Sequence, residues 1–183
     1  LGQVFVDLAH ALTGRVQGGP ALTAVISSTM FSSINGSAVA GVVTTGTFTI
    51  PLMKRTGYRP KVAGAIEAAA SSAGQIMPPV MGAAAFLMAE LTQTPYAVIA
   101  AAALIPALLY VFALLVAVRE EAGKYDLGRA EGEDVPLLRE VLFKRGHLLL
   151  PLVALVVFLA VGYTPSAAAV LCVLATLIVS VLT

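Results

Sequence analysis

Four stretches of the chain contain no Asp, Glu, Lys or Arg: 16–53, 68–89, 91–118 and 146–183, which run 38, 22, 28 and 38 residues. A helix needs about 20 apolar residues to cross a hydrocarbon layer of roughly 30 Å, so each stretch is long enough. The pattern predicts an all-α polytopic membrane protein. Within 20–53 the apolar pattern is cut by Ser32-Ser33-Ile34-Asn35-Gly36-Ser37, leaving arms 20–34 and 38–53 of about 15 residues, or roughly 22 Å of helix each. Such arms are short for full spans, and the arithmetic favours a re-entrant helical hairpin over two short spans. The unit 62–90 is cut at Ser71-Ser72-Ala73-Gly74-Gln75 and Met77-Pro78-Pro79. Paired prolines cannot donate N–H groups to a continuous helix, which predicts a broken transmembrane helix with an unwound joint. Residues 97–118 form an unbroken span, and 147–183 divide at Tyr163-Thr164-Pro165-Ser166 into two transmembrane helices.

At the start of the chain, Val4, Phe5, Leu8, Ala9 and Leu12 share one helical face, while Gln3, Asp7, His10 and Thr13 share the other. Segment 1–19 is therefore an amphipathic, interfacial helix or the end of an upstream span, closed by Gly14 and Gly18-Gly19-Pro20. His10, on the polar face, is expected to meet water or lipid headgroups.

Charge fixes the orientation. Basic residues sit at Arg15, at 54–61 and at 119–145, and the last of these holds six Lys/Arg and seven Asp/Glu. The positive-inside rule places 54–61 and the 119–145 loop in the cytoplasm. Overall, 58% of residues are apolar, 11% are charged and the net charge is +1. That composition excludes an ordinary soluble domain and gives no electrostatic footprint for nucleic acid. The single cysteine, Cys172, has no partner in the chain for a disulfide or a cysteine-based metal site. The start at Leu1 and the apolar end at Val181-Leu182-Thr183 suggest a piece of a longer protein.

Irregular backbone at membrane depth is tolerated only when it is buried in protein or lines a watery cavity, because lipid cannot pair the freed N–H and C=O groups. The two breaks, at 32–37 and 71–79, are uncharged and rich in small and amide residues. Neutral oxygens of this kind suit a hard monovalent cation such as Na⁺, and half-helix N-termini beside them suit an anion. Close packing of small residues is the competing reading of either break alone. Glu67 lies one to two turns inside its span; pairing with Lys61, Arg59 or a hairpin residue is favoured over a proton-relay role. Glu90 should face water. Gly-x-Ser-x-Gly, His-Glu-x-x-His, P-loop and GxGxxG patterns are all missing, and neither His10 nor His147 lies beside a buried nucleophile, so the chain reads as no enzyme.

Asn35-Gly36-Ser37-Ala38-Val39-Ala40, then Pro51-Leu52-Met53-Lys54-Arg55-Thr56-Gly57-Tyr58, then Ala73-Gly74-Gln75-Ile76-Met77-Pro78-Pro79, resemble the large membrane subunit of tripartite ATP-independent periplasmic (TRAP) transporters. The run Gly74 to Phe86 is similar to the fused permease type, in which small and large subunits form one chain, a type associated with TAXI-class binding proteins. The likeness is specific over about residues 8–125 and rests mainly on hydropathy over 126–183. It implies one half of an inverted-repeat, elevator-type transporter in a bacterial or archaeal cytoplasmic (inner) membrane. Such a permease uses Na⁺ as its coupling ion and no cofactor. Its partners are a periplasmic substrate-binding protein, a small organic anion such as a dicarboxylate or amino acid, the remainder of the permease chain and the lipid bilayer. Carried over onto this sequence, the first Na⁺ site comprises Ser33, Asn35, Gly36 and Ser37 of the hairpin tip with Ser72, Gly74 and Gln75 of the joint, held open by Pro78 and Pro79. The alternatives are a non-catalytic membrane scaffold subunit, or another hairpin-containing anion transporter that uses no binding protein.

Overall fold

The computed structural model describes residues 2–14, 16–125, 127, 150–161, 167–168 and 170–173. All regular elements among them are helices: α1 (Gly2–Thr13), α2 (Gly19–Asn35), α3 (Ala38–Arg55), α4 (Pro60–Ala73), α5 (Ala83–Thr92), α6 (Tyr96–Lys124) and α7 (Leu150–Val161). Most of the 119–145 loop, Arg15, His147 and the greater part of the two spans expected over 147–183 lie outside the described residues.

Local chemistry explains where these helices start and stop. α2 begins after Gly18, which is left-handed at φ 74°, with proline in its first turn. It ends at Gly36, also left-handed at φ 69°, whose N–H donates to Ser32 O at 2.8 Å. One residue on, Ser37 caps α3 by accepting the Ala40 N–H at 3.3 Å, and Asn35 Oδ1 accepts the Ser37 N–H at 2.7 Å. A C-cap and an N-cap on adjacent residues turn the chain back in the shortest space available. A side chain at Gly36 would also strike the carbonyl of Met81, so this position needs glycine for both its conformation and its contact.

Helix α2 is the centre of the assembly, packed by α1, α3, α4 and α6. Its small residues permit this: Ala21, Ala24, Val25, Ser27, Ser28 and Ser32 are fully buried. At the basic end Tyr58 closes the core against Met53, Ala63, Val118 and Ala122. Burial, then the negative charge of Glu121, push its phenol up to about 12, so it stays neutral there. The Arg59 guanidinium lies 5.0 Å from the centre of the Tyr125 ring, which brings the α3–α4 turn beside the end of α6.

Among the described residues α6 is the one helix long and apolar enough to cross a membrane. Its 29 residues span about 44 Å. Leu104, Ile105, Leu108, Leu109, Phe112 and Val116 are exposed along it, a pattern opposite to that of a soluble core helix. The helix runs on through Arg119 to Lys124, past the expected boundary at 118. Arg, Glu, Ala and Lys are strong helix formers, and Ala122 is fully buried beside Gly18, which holds this last turn in place.

The reading of His10 is corrected. It is only 8% exposed and sits 3.5 Å from Thr23 Oγ1, facing α2 rather than water, whereas Leu12, expected on the apolar face, is 61% exposed. Helix α1 packs on α2 and α3, so its buried stripe follows protein contacts such as Phe5 on Phe31, 6.4 Å apart and edge-on. Thr23 on α2, which shares a hydrogen bond of 2.8 Å with Thr13 at the end of α1, makes burial of the imidazole tolerable.

Candidate functional site

The hairpin tip and the helix break meet. α4 ends at Ala73, α5 starts at Ala83, and the intervening joint folds over the tip. Ser33 O accepts the N–H groups of both Val80 and Met81, at 3.2 and 3.1 Å, and Gly82 N donates to Gln75 O at 2.7 Å. Backbone groups freed by the break are thus partnered partly by the hairpin, as a low-dielectric environment demands. Tyr96, at the start of α6, reaches back to Pro79 O at 2.9 Å and Val80 O at 2.6 Å and stacks on Phe86 with ring centres 4.9 Å apart. The residues read from the sequence as a structural break, Pro78 and Pro79, lie within this joint, half-buried.

Of the seven residues carried over as the Na⁺ site, three lie where tip and joint touch. Ser33 contributes its backbone carbonyl, while its hydroxyl donates to Met30 O at 2.8 Å. Gly36 abuts Met81, and Gly74 abuts Ser32 and Ser33 so closely that a Cβ there would collide with Ser32 Cβ and the Ser32–Ser33 backbone. Gln75 contributes its carbonyl to the joint. The side chains of Asn35, Ser72 and Gln75 are exposed on the described surface, and Ser37 is half-buried. Ser72 Oγ donates one turn back to Ala68 O at 2.8 Å, and Ser37 Oγ serves as the α3 cap.

Just inside this contact the structure brings Ser32 and Ser71, the first residues of the two breaks, together at Gly41. Ser32 Oγ is buried with no hydrogen-bond partner. It packs against Gly41, where an added Cβ would strike Ser32 Oγ first and lie 2.9 Å from Ser71 Oγ, so the two hydroxyls converge on this glycine. A buried hydroxyl without a partner costs about 1–3 kcal/mol, so Ser32, packed between Gly41 and Gly74 beside Ser71, is a costly group to enclose here.

One turn deeper lies Glu67, fully buried. Ser28 Oγ and Thr45 Oγ1 each lie 2.7 Å from its Oε1, Thr49 Oγ1 lies 2.6 Å from its Oε2, and Ser71 Oγ lies 3.4 Å from Oε1. Gly46 makes room for the acid, a Cβ there coming within 3.1 Å of Glu67 Cγ. The partner is therefore the hairpin, one of the sequence alternatives, while Lys61 and Arg59 are exposed. The available signal was spacing: Ser28 and Ser32, Gly41, Thr45 and Thr49, and Glu67 and Ser71 each recur at four-residue intervals, a polar stripe on each of three helices.

Among the described residues no three His, Cys, Asp or Glu side chains converge. The groups around the contact are hydroxyls and carbonyls with one carboxylate a turn below, all hard oxygens, which fit an alkali or alkaline-earth cation and not a thiophilic metal.

A family model described as "Tripartite ATP-independent periplasmic transporter, DctM component" matches residues 1–183. The chain is similar to the C4-dicarboxylate TRAP transporter large permease protein DctM of Pseudomonas aeruginosa, at 30% identity over 113 residues, which is 62% of this chain and 26% of that protein. It is 37% identical over 79 residues to the isethionate TRAP transporter permease protein DctMQ of Oleidesulfovibrio alaskensis, covering 43% of this chain and 12% of that one. It is also 27% identical over 182 residues to the ectoine/5-hydroxyectoine TRAP transporter large permease protein UehC of Ruegeria pomeroyi, covering 97% of this chain and 41% of the relative. The chain therefore spans less than half the length of these curated relatives.

Proposed function

The chain belongs to the DctM-component family of TRAP transporters, and from that premise we propose that it forms the first cation-binding half of a permease that imports small organic anions on a Na⁺ gradient. The observation that carries this reading is the contact of hairpin tip with helix break around the unpartnered Ser32 hydroxyl. In the bilayer, α2 and α3 form a re-entrant hairpin: α2 is 17 residues, about 25 Å, which leaves its tip short of a full crossing. The α4–joint–α5 unit is the broken helix of the same repeat, and the second repeat completes an elevator-type transport domain.

Na⁺ binds as cargo at the pocket between Ser32 and Ser71, with tip and joint carbonyls near Ser33 and Gln75 completing its shell. Asn35, Ser37, Ser72 and Gln75 complete the neutral surface toward the substrate. The N-terminus of α3 at Ser37 supplies partial positive charge for an anion. C4-dicarboxylate and isethionate, named for two relatives, are organic anions and support that substrate class. A periplasmic binding protein delivers the substrate, TAXI-class if the permease is of the fused type, and the protein sits as a multi-pass component of the inner membrane with 54–61 and 119–145 in the cytoplasm.

Substitution tests the site. In cells carrying the intact permease and its binding protein, Ser32→Ala is expected to raise the Na⁺ concentration for half-maximal uptake about tenfold, since one lost oxygen ligand is worth on the order of 1–2 kcal/mol. Asn35→Ala and Gln75→Ala should lower uptake at every Na⁺ concentration. Unchanged Na⁺ dependence and uptake in all three would leave both breaks as packing features and return the chain to a scaffold role.

A further inference from the structure

We propose that Glu67 is the counter-charge of the cation pocket, a buried carboxylate that raises cation affinity from one helical turn below without itself becoming a ligand. The inference rests on the cation reading of the Ser32–Ser71 pocket and adds to it a charged residue.

The pocket itself offers only neutral oxygens. A cation taken from water into a buried site loses hydration that dipoles alone replace poorly, so a nearby negative charge has a large effect. Glu67 is the acid so placed. Two connections tie it to the pocket. On α4 its Oε1 lies 3.4 Å from Ser71 Oγ, one of the two hydroxyls facing Gly41. On α3 its partner Thr45 Oγ1 also lies 2.8 Å from Gly41 O, the backbone on which both pocket hydroxyls converge.

The same geometry keeps the carboxylate out of the coordination shell. Oε1 is occupied by Ser28 and Thr45 and Oε2 by Thr49. The groups facing Glu67 from the packed helices are hydroxyls: Ser28 on α2, Thr45 and Thr49 on α3, and Ser71 on α4 itself. The basic residues of these helices, Lys54, Arg55 and Lys61, are exposed near their ends, and His10 on α1 meets Thr23. Hydroxyls solvate the carboxylate without cancelling its charge, so its field reaches the pocket.

Distance sets the size of the effect. A hard cation about 2.4 Å beyond Ser71 Oγ lies about 6 Å from the carboxylate, where a unit charge at an effective dielectric near 20 changes affinity by roughly ten- to a hundredfold. Glu67→Gln removes the charge and keeps the shape. Its amide can donate to Thr49 Oγ1, whose own proton then turns to Thr45 O, 3.1 Å away.

The test is Na⁺ binding to the purified intact permease, read as the shift of its thermal unfolding midpoint when NaCl replaces choline chloride at constant ionic strength. Wild type should be stabilised by Na⁺. Glu67→Gln should need about ten to a hundred times more Na⁺ for the same shift, and Glu67→Asp, which keeps the charge, should stay within about threefold of wild type. A Glu67→Gln response equal to wild type overturns the inference, and so does a Glu67→Asp that loses the response as fully as Gln does. The Ser32→Ala permease separates the two levels. If it loses the Na⁺ shift while Glu67→Gln keeps it, the pocket stands and the counter-charge fails. If wild type shows no Na⁺ shift, the cation reading and the counter-charge fail together.

Discussion

Gly74→Ala is expected to abolish uptake and to lower the stability of the permease by about 1–3 kcal/mol, the range for overpacking a close-fitting contact. The reason lies in what the new methyl would meet. Its nearest neighbours are Ser32 Cβ, the Ser32 backbone carbon at 2.6 Å and Ser33 N at 2.7 Å. Backbone atoms cannot rotate aside, so the tip must separate from the joint, breaking the bonds from Val80 N and Met81 N to Ser33 O. Gly64, within the helix α4 that Gly74 caps and with nothing within 4 Å of an added Cβ, provides the control. There alanine should leave uptake unchanged and stabilise the helix by about 0.5–1 kcal/mol. Thermal unfolding and uptake of the two variants, side by side, distinguish a specific close approach from a general intolerance of alanine in α4.

Glu67→Leu is expected to cost about 2–4 kcal/mol and to eliminate transport. Leucine has nearly the same reach but cannot accept the protons of Ser28, Thr45 and Thr49, all three fully buried. The two threonines can turn to carbonyls one turn back, Gly41 O at 2.8 Å and Thr45 O at 3.1 Å, which limits the loss. Ser28 keeps only its 2.8 Å contact with Thr45. What disappears is the tie that joins both arms of the hairpin to α4. Glu90→Gln, at an exposed acid in the last turn of α5, should change neither stability nor uptake. A Glu67→Leu permease as stable as wild type would show that packing alone holds the hairpin to α4.

Much of the architecture was legible in local chemistry. Pro78-Pro79 and Asn35-Gly36-Ser37 act through their own backbone, by missing N–H donors, a left-handed glycine and a capping hydroxyl, so they could be read without knowing what lies beside them. The pocket below them could not be read in that way. A serine or threonine in a membrane helix normally satisfies itself on the carbonyl one turn back, as Ser27 does on Thr23 O at 2.7 Å. Nothing in the stripe Ser28–Ser32 announces that one hydroxyl bonds an acid 39 residues away while the next has no partner. That distinction arises only when three helices are placed together. His10 was misread for a related reason: the amphipathic pattern of α1 identified two faces but not that α2 would cover part of the polar one.

The same separation explains why Asn35 and Gln75 drew attention and Ser32 did not. Amides at a chain break are conspicuous in sequence, yet their side chains lie on the outside of the contact, whereas Ser32, a small residue within a helix, is enclosed by Gly41 and Gly74. Close approach of glycine to serine encloses this hydroxyl, and glycine carries no polar signal.

Whether the permease is a cation-coupled, binding-protein-dependent importer is decided by uptake of labelled organic anions into proteoliposomes. They would contain the intact permease, with or without its binding protein and with Na⁺ or K⁺ outside. Uptake that requires both Na⁺ and the binding protein is the expected result. Uptake that proceeds equally in K⁺, or without the binding protein, would contradict the account.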